Sequence, residues 1–126
     1  MTKTRIRVAI VDDDASVRKA LTRLLNIAAF EAISCSSGAE LMGCLESFKP
    51  HCIILDLHMP ALGGIEILRQ LSQKGSRSAI IIITGHDSPK MHQECIALGA
   101  KFYFAKPIDG DELIAAVRKS TAETTA

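Results

Sequence analysis

Six side chains in this sequence have the types and positions to do chemistry together. Asp12, Asp13 and Asp14 close the apolar run 6–11, Asp56 closes the run 52–55, Thr84 closes 79–83 and Lys106 closes 102–105. Carboxylates gathered at one place repel each other unless a cation neutralises them, and a ligand set made only of oxygen suits Mg²⁺ or another hard divalent ion. Such an ion keeps water-filled positions that a phosphate oxygen can take. A lysine ammonium and a threonine hydroxyl opposite it would complete a clamp on phosphoryl oxygens. An ionised aspartate can itself accept the phosphoryl group, giving an acyl phosphate. Each residue also has a plainer explanation. Asp14 reads as a helix N-cap, Asp12 and Asp13 as solvated turn residues, Asp56 as a loop cap, Thr84 as an ordinary strand end and Lys106-Pro107 as a turn. The convergence of carboxylates, hydroxyl and ammonium on the ends of separate strands favours the chemical reading.

The elements that must position these groups follow from two alternating periodicities. Residues 6–11, 32–35, 52–55, 79–83 and 102–105 read as strands. Between them, Val17, Leu21, Leu24, Leu25 and Ala28 repeat at helical spacing, as do Ile65, Leu68 and Leu71. Ser37 with Glu40 signals a capping box for a helix through about Ser47. Residues 59–64 read as a loop, and the helix after it closes near Gly75. Ser88-Pro89 opens a helix that stops at Gly99, and Asp109 with Glu112 opens a last one through about Lys119. The polar tail 121–126 is expected to fray. Strands alternating with helices imply an α/β fold, a parallel sheet covered by helices on both faces. In such a sheet, ligands bind beyond the carboxyl ends of the strands, where all six side chains lie.

Composition narrows the function classes. The 126 residues suit one domain, with 48% hydrophobic and 23% charged residues. Fifteen basic against 14 acidic residues leave a formal charge of +1, which disfavours a basic nucleic-acid binder. Trp is absent and aromatics are 4%, which disfavours base-stacking platforms. No apolar run reaches membrane length and no signal peptide is apparent, so a soluble cytoplasmic protein is expected. Cys35, Cys44, Cys52 and Cys95 include no C-x-x-C pair and read as reduced, mostly buried thiols. His51, His58, His86 and His92 lack zinc-site spacing. Phosphate-binding glycine loops and a G-x-S-x-G elbow are missing too.

Five segments together resemble the receiver domain of two-component response regulators. They are Val11-Asp12-Asp13, Leu55-Asp56-Leu57-His58-Met59-Pro60, Gly64-Ile65-Glu66, Ile83-Thr84-Gly85 and Tyr103-Phe104-Ala105-Lys106-Pro107. The resemblance covers about residues 5–120, and Ile-Thr-Gly-His looks most like the nitrogen-fixation-regulator branch. It implies a single (βα)5 doubly wound domain over 1–126, with the flavodoxin-like strand order 2-1-3-4-5. It also implies roles. Asp56 is the expected phosphoacceptor. Asp13 is expected to ligate Mg²⁺, or Mn²⁺ in its place, together with Asp56 and the backbone carbonyl of His58, while Asp12 acts through metal-bound water. Thr84 and Lys106 meet the phosphoryl group, the Lys106–Pro107 bond is cis, and Thr84 and Tyr103 form the switch. The implied partners are a histidine kinase or a histidine phosphotransfer protein. Output runs through the fourth helix, fifth strand and fifth helix, to a second copy or a downstream protein. Nucleic acid is expected only through an attached output domain. Ile108 and Gly63 depart from the common pattern, and His58 and His86 occupy variable positions flanking the pocket. Two other readings remain open: a Mg²⁺-dependent phosphohydrolase with an aspartyl nucleophile, and a pseudo-receiver that only binds.

Overall fold

The computed structural model describes residues 5–59 and 63–125. In chain order the elements are β1 (Arg7–Val11), α1 (Ala15–Ile27), β2 (Glu31–Cys35), α2 (Gly38–Phe48), β3 (Cys52–Asp56), α3 (Gly64–Gln73), β4 (Ala79–Thr84), α4 (Pro89–Ala97), β5 (Phe102–Ala105) and α5 (Gly110–Thr125). The five strands are all parallel and lie in the order β2-β1-β3-β4-β5. This is the order that the resemblance implies.

Strand alternation divides the core into two layers. Val8, Ile10, Cys52, Ile54, Ile81 and Ile83 pack with Leu21 and Leu25 of α1 and Leu113 and Val117 of α5. Ala9, Val11, Ile53, Leu55, Ile80 and Ile82 face the other way, against Leu41 of α2, Ile67, Leu68 and Leu71 of α3 and Cys95 of α4. Every residue of β3 and β4 is buried, as expected of central parallel strands covered on both sides.

Local sequence explains most helix starts. Asp14, Ser37 and Ser88 each cap a helix, accepting from the N–H of Ser16, Glu40 and Met91. The Ser37 capping box is only half formed, because the Glu40 carboxylate takes the Ser36 hydroxyl at 2.9 Å. Asp109 caps α5 through the N–H groups of Asp111 and Glu112.

The tail differs from expectation. The sequence predicts an end of the last helix near Lys119, but α5 continues through Thr125. Ser120 and Thr121 are buried, and their hydroxyls bond back to the Val117 carbonyl at 3.1 and 2.7 Å. The Ser120 hydroxyl also reaches Cys52 Sγ at the start of β3. Two small polar side chains thus bond back to their own helix as they are buried. Of the expected loop at 59–64, residues 60–62 lie outside those described.

Candidate functional site

The site forms where β1, β3, β4 and β5 end. Asp12 directly follows β1, and its N–H donates to the Cys35 carbonyl at 3.1 Å, which seats it against the end of β2. The residue is fully buried. Asp12 Oδ1 accepts from the Asp14 N–H at 2.9 Å, and Arg18 donates to the Asp12 carbonyl at 2.8 Å. Asp56, the last residue of β3, is 3% exposed, and its Oδ1 accepts from the His58 N–H at 3.2 Å. Lys106 stands between them, with Nζ 3.1 Å from Asp12 Oδ2 and 3.8 Å from Asp56 Oδ2. The Lys106 N–H donates to the Thr84 carbonyl at 2.7 Å, and the Lys106–Pro107 peptide is cis.

Asp13 is exposed, yet a carboxylate oxygen from each of Asp12, Asp13 and Asp56 lies within 4.8 Å of the others. Among the described residues this is the one such group of three potential ligands. Asp14 does not join it. Its carboxylate turns to Ser16, whose hydroxyl and N–H hold its pKa below the usual value.

One ammonium serves several carboxylates here, and the electrostatics register the imbalance. Burial, first of all, pushes the Asp56 pKa up, and the charges of Asp12 and Asp13 add to it. The His58 N–H and the Lys106 charge act the other way without cancelling it. A divalent cation would remove this imbalance, and three oxygen donors with one exposed member fit a hard, partly hydrated ion.

Thr84 is fully buried, and its hydroxyl is held by the neighbouring loops. Oγ1 accepts from the His86 N–H at 3.0 Å and lies 3.2 Å from His58 Nδ1. The His58 and His86 rings sit 4.4 Å apart and both residues are exposed. Tyr103 occupies the same sheet face as Thr84 on the adjacent strand, its Cα paired with Ile82. Its ring stacks on His92 of α4 with centroids 4.5 Å apart. The Tyr103 hydroxyl is buried without a well-formed hydrogen bond. Burial raises its pKa, and the nearby Asp87 carboxylate, facing it without closing a good bond, adds to this.

The structure therefore brings Asp12, Asp13, Asp56 and Lys106 into one cluster and places Thr84, His58 and His86 beside it. Sequence reasoning missed two further contributors. A Cβ on Gly64 would meet Leu57 Cα at 2.7 Å and the Asp56 carbonyl at 2.8 Å, so only glycine lets α3 start this close to the acidic residue. The glycine stands in one of the receiver-like segments, but nothing local revealed the contact. His92 was not marked as a platform for Tyr103 because the two meet only in the tertiary fold. A cavity of about 740 Å³ lies at the opposite edge of the sheet, lined by Lys49, His51, Lys74 and Arg77 among others, and shares no residue with the cluster.

Comparison with known proteins decides what this edge belongs to. The sequence matches the family model of the response regulator receiver domain over residues 8–118. The chain belongs to the response regulator receiver family. Among curated relatives, it is 34% identical over 113 residues to the transcriptional regulatory protein FixJ of Azorhizobium caulinodans, covering 90% of this chain and 54% of that protein. It is 33% identical over 120 residues to the response regulator MprA of Mycolicibacterium vanbaalenii, covering 95% and 52%. This receiver therefore spans about half the length of those relatives. Among solved structures, the receiver domain of Francisella response regulator 1452 superposes with a TM-score of 0.90 at 25% identity, over 95% of this chain and 99% of that one. The chemotaxis protein CheY4 of Vibrio cholerae gives 0.87 at 25% identity, over 93% and 99%. The chain is thus a receiver of two-component signalling, a family of signalling domains rather than of metabolic enzymes. No described helix is long and apolar enough to cross a membrane.

Proposed function

We propose that this chain works as a single receiver domain that takes a phosphoryl group onto Asp56 and converts it into a change of surface. The observation that carries the reading is the position of Lys106 Nζ, 3.1 Å from Asp12 and 3.8 Å from Asp56 at the edge where Asp13 joins them. Asp12, Asp13, Asp56 and the His58 carbonyl would hold Mg²⁺ or Mn²⁺, which would neutralise the carboxylates and draw phosphoryl oxygens to the edge.

The residues themselves supply the rest. An Asp56 carboxylate oxygen attacks phosphorus while the donor's bond to phosphorus breaks, and the donor leaves with that electron pair. The donor is the phosphohistidine of a histidine kinase or phosphotransfer protein. The Lys106 ammonium, already placed between Asp12 and Asp56, moves its charge onto the new phosphoryl oxygens. Phosphorylation adds nearly two negative charges to the edge. The Thr84 hydroxyl is drawn toward them and leaves His58. Tyr103, on the same face, then takes up the space that Thr84 vacates. Its ring is stacked on α4, so the change reaches the α4-β5-α5 surface. That surface acts on a second copy, a downstream protein or an attached output module.

The test is incubation of the chain with Mg²⁺ and acetyl phosphate, read by intact mass. One phosphoryl group per chain, base-labile and absent from Asp56→Asn, is the expected result. Sustained turnover of many phosphate esters would point instead to a phosphohydrolase. No uptake with acetyl phosphate or a phosphorylated histidine donor would leave a phosphorylation-independent binding module.

A further inference from the structure

Two thiols meet outside the acidic cluster. Cys35 ends β2 and is 2% exposed, while Cys44 lies in α2 and is half-buried. Their Sγ atoms are 4.0 Å apart, and the Cys44 thiol donates to the Leu41 carbonyl at 3.3 Å. The other two cysteines, Cys52 and Cys95, are fully buried. A solvent-reachable thiol in contact with a buried one is the arrangement in which oxidation of the first is captured by the second.

We propose that Cys35 and Cys44 form a redox-modifiable pair, which a hydroperoxide converts to an intramolecular disulfide tying β2 to α2. Cys44 reacts first because it is the less buried member of the pair. Its sulfur attacks the peroxide, a sulfur–oxygen bond forms, the oxygen–oxygen bond breaks and an alcohol or water leaves. The Cys35 sulfur then attacks the Cys44 sulfur. The sulfur–sulfur bond forms, the sulfur–oxygen bond breaks, and the departing hydroxide takes the Cys35 proton as water. Two thiols and one hydroperoxide thus give one disulfide, one water and one alcohol or second water. Burial, and then the neighbouring Cys44, pushes the Cys35 pKa up to about 12, so Cys35 is not the first attacker and loses its proton only to the departing hydroxide as it resolves. The sulfurs must close from 4.0 Å to about 2.05 Å, and in doing so the Cys44 thiol gives up the Leu41 carbonyl.

The pair is one hydrogen bond from the acidic edge. The Cys35 carbonyl accepts the Asp12 N–H at 3.1 Å, and Asp12 holds Lys106. Restraining Cys35 is therefore expected to slow exchange of the Asp12 amide.

The experiment needs no phosphoryl donor, so its outcome is independent of whether Asp56 is phosphorylated. The reduced chain is treated with one equivalent of hydrogen peroxide, alkylated under denaturing conditions and mapped as non-reduced peptides. The expected result is a loss of two mass units, a Cys35–Cys44 cross-link, and alkylated Cys52 and Cys95. Cys35→Ser should leave a Cys44 sulfenic acid that dimedone traps, with Cys35→Ala replacing it if the serine variant does not fold. Disulfide-linked dimers, a Cys44 sulfinic acid without the cross-link, bridging to Cys52 or Cys95, or no reaction would each overturn the proposal.

Discussion

At the edge where the strands begin, polar groups find partners close by. Arg7 donates through Nε to the carbonyls of Phe48 and Lys49 at 2.7 and 3.0 Å, and its N–H donates to His51 Nδ1 at 3.0 Å. The Ser78 hydroxyl donates to the Pro50 carbonyl at 2.6 Å. At the edge where the strands end, Asp12 and Asp56 are buried together and share the single ammonium of Lys106. The first edge receives helix C-termini, closed by backbone turns and left-handed residues. The second receives helix N-termini, whose exposed N–H groups favour negative charge. Both belong to one parallel sheet, so the topology that gathers helix C-termini at one edge gathers like charges at the other.

Removing the imbalance should therefore have the largest effect, in opposite directions for function and stability. Asp56→Asn is expected to abolish phosphoryl uptake, since an amide cannot be the acceptor. The same change should raise the melting temperature at neutral pH by a few degrees. The folded pKa of Asp56 lies above its ordinary value. Its contribution to stability is thus intact below the ordinary carboxylate range and is lost as pH rises through the folded value. The gain from Asn should accordingly shrink to nothing below about pH 4. Melting curves of both proteins from pH 3 to 8, without divalent metal, check this. An asparagine variant less stable than the parent at pH 7 would contradict the contrast between the edges.

Gly64 tests whether the functional edge is also a packing constraint. Gly64→Ala forces a methyl against the backbone of Asp56 and Leu57, and should cost about 1–3 kcal/mol by overpacking. It should also slow phosphorylation by displacing the residue that accepts the group. Gly43 lies inside α2 with nothing within 4 Å of where a methyl would stand, so Gly43→Ala should stabilise by about 0.5–1 kcal/mol. Urea unfolding of the pair, with acetyl-phosphate labelling rates, separates the two. Equal effects would mean that the closeness of α3 to Asp56 is unimportant.

What the sequence revealed follows the same division. The groups at the functional edge were legible because each one terminates an apolar run, and the sheet's geometry obliges such residues to share an edge. The helix starts were legible because Asp14, Ser37, Ser88 and Asp109 act within a few residues of themselves. What stayed hidden depends on contacts between distant segments. The tie from Thr84 to His58 spans β3 and β4, and the Gly64 approach depends on how α3 leans on the strand before it. The end of α5 was missed because Ser120 and Thr121 look like tail residues until the fold buries them. The contact of Cys35 with Cys44 needs a strand end and a helix face to meet, which spacing alone does not show.

At the satisfied edge, His51 offers a smaller effect with a definite sign. Burial, and then the Arg7 charge, holds its pKa below 6.5, and its Nδ1 must stay unprotonated to accept from the Arg7 N–H. Above the unfolded value both states are neutral and His51 makes no difference. As pH falls through about 6.5, the unfolded chain takes up a proton that the folded chain resists, so stability is lost. His51→Asn should flatten the fall in urea midpoint between pH 7.5 and 5 relative to the parent. Identical slopes in the two proteins would remove His51 from the account.

The smallest expected effect lies at the same edge, in how helices end there. Gly75 and Gly99 follow α3 and α4 with φ of +69° and +107°, and each closes a paired turn back onto its helix. After α1 the same turn is made by Ala29, with φ of +71°. The Ala29 N–H donates to the Asn26 carbonyl and the Phe30 N–H to the Leu25 carbonyl, at 3.0 Å each. Phe30, immediately afterwards, is buried against α1, so the chain is committed to this turn. A left-handed alanine costs about 1–2 kcal/mol, whereas glycine adopts that conformation freely. Glycine in turn gives the unfolded chain more freedom, which costs about 0.5–1 kcal/mol. The difference predicts that Ala29→Gly stabilises the domain by about 0.5 kcal/mol, visible as a higher urea midpoint with an unchanged slope. Phosphoryl uptake at the far edge should be unaltered. A lower midpoint would show that the α1 turn is not a source of strain on this edge, while altered uptake would show that the two edges are coupled through β1 and β2.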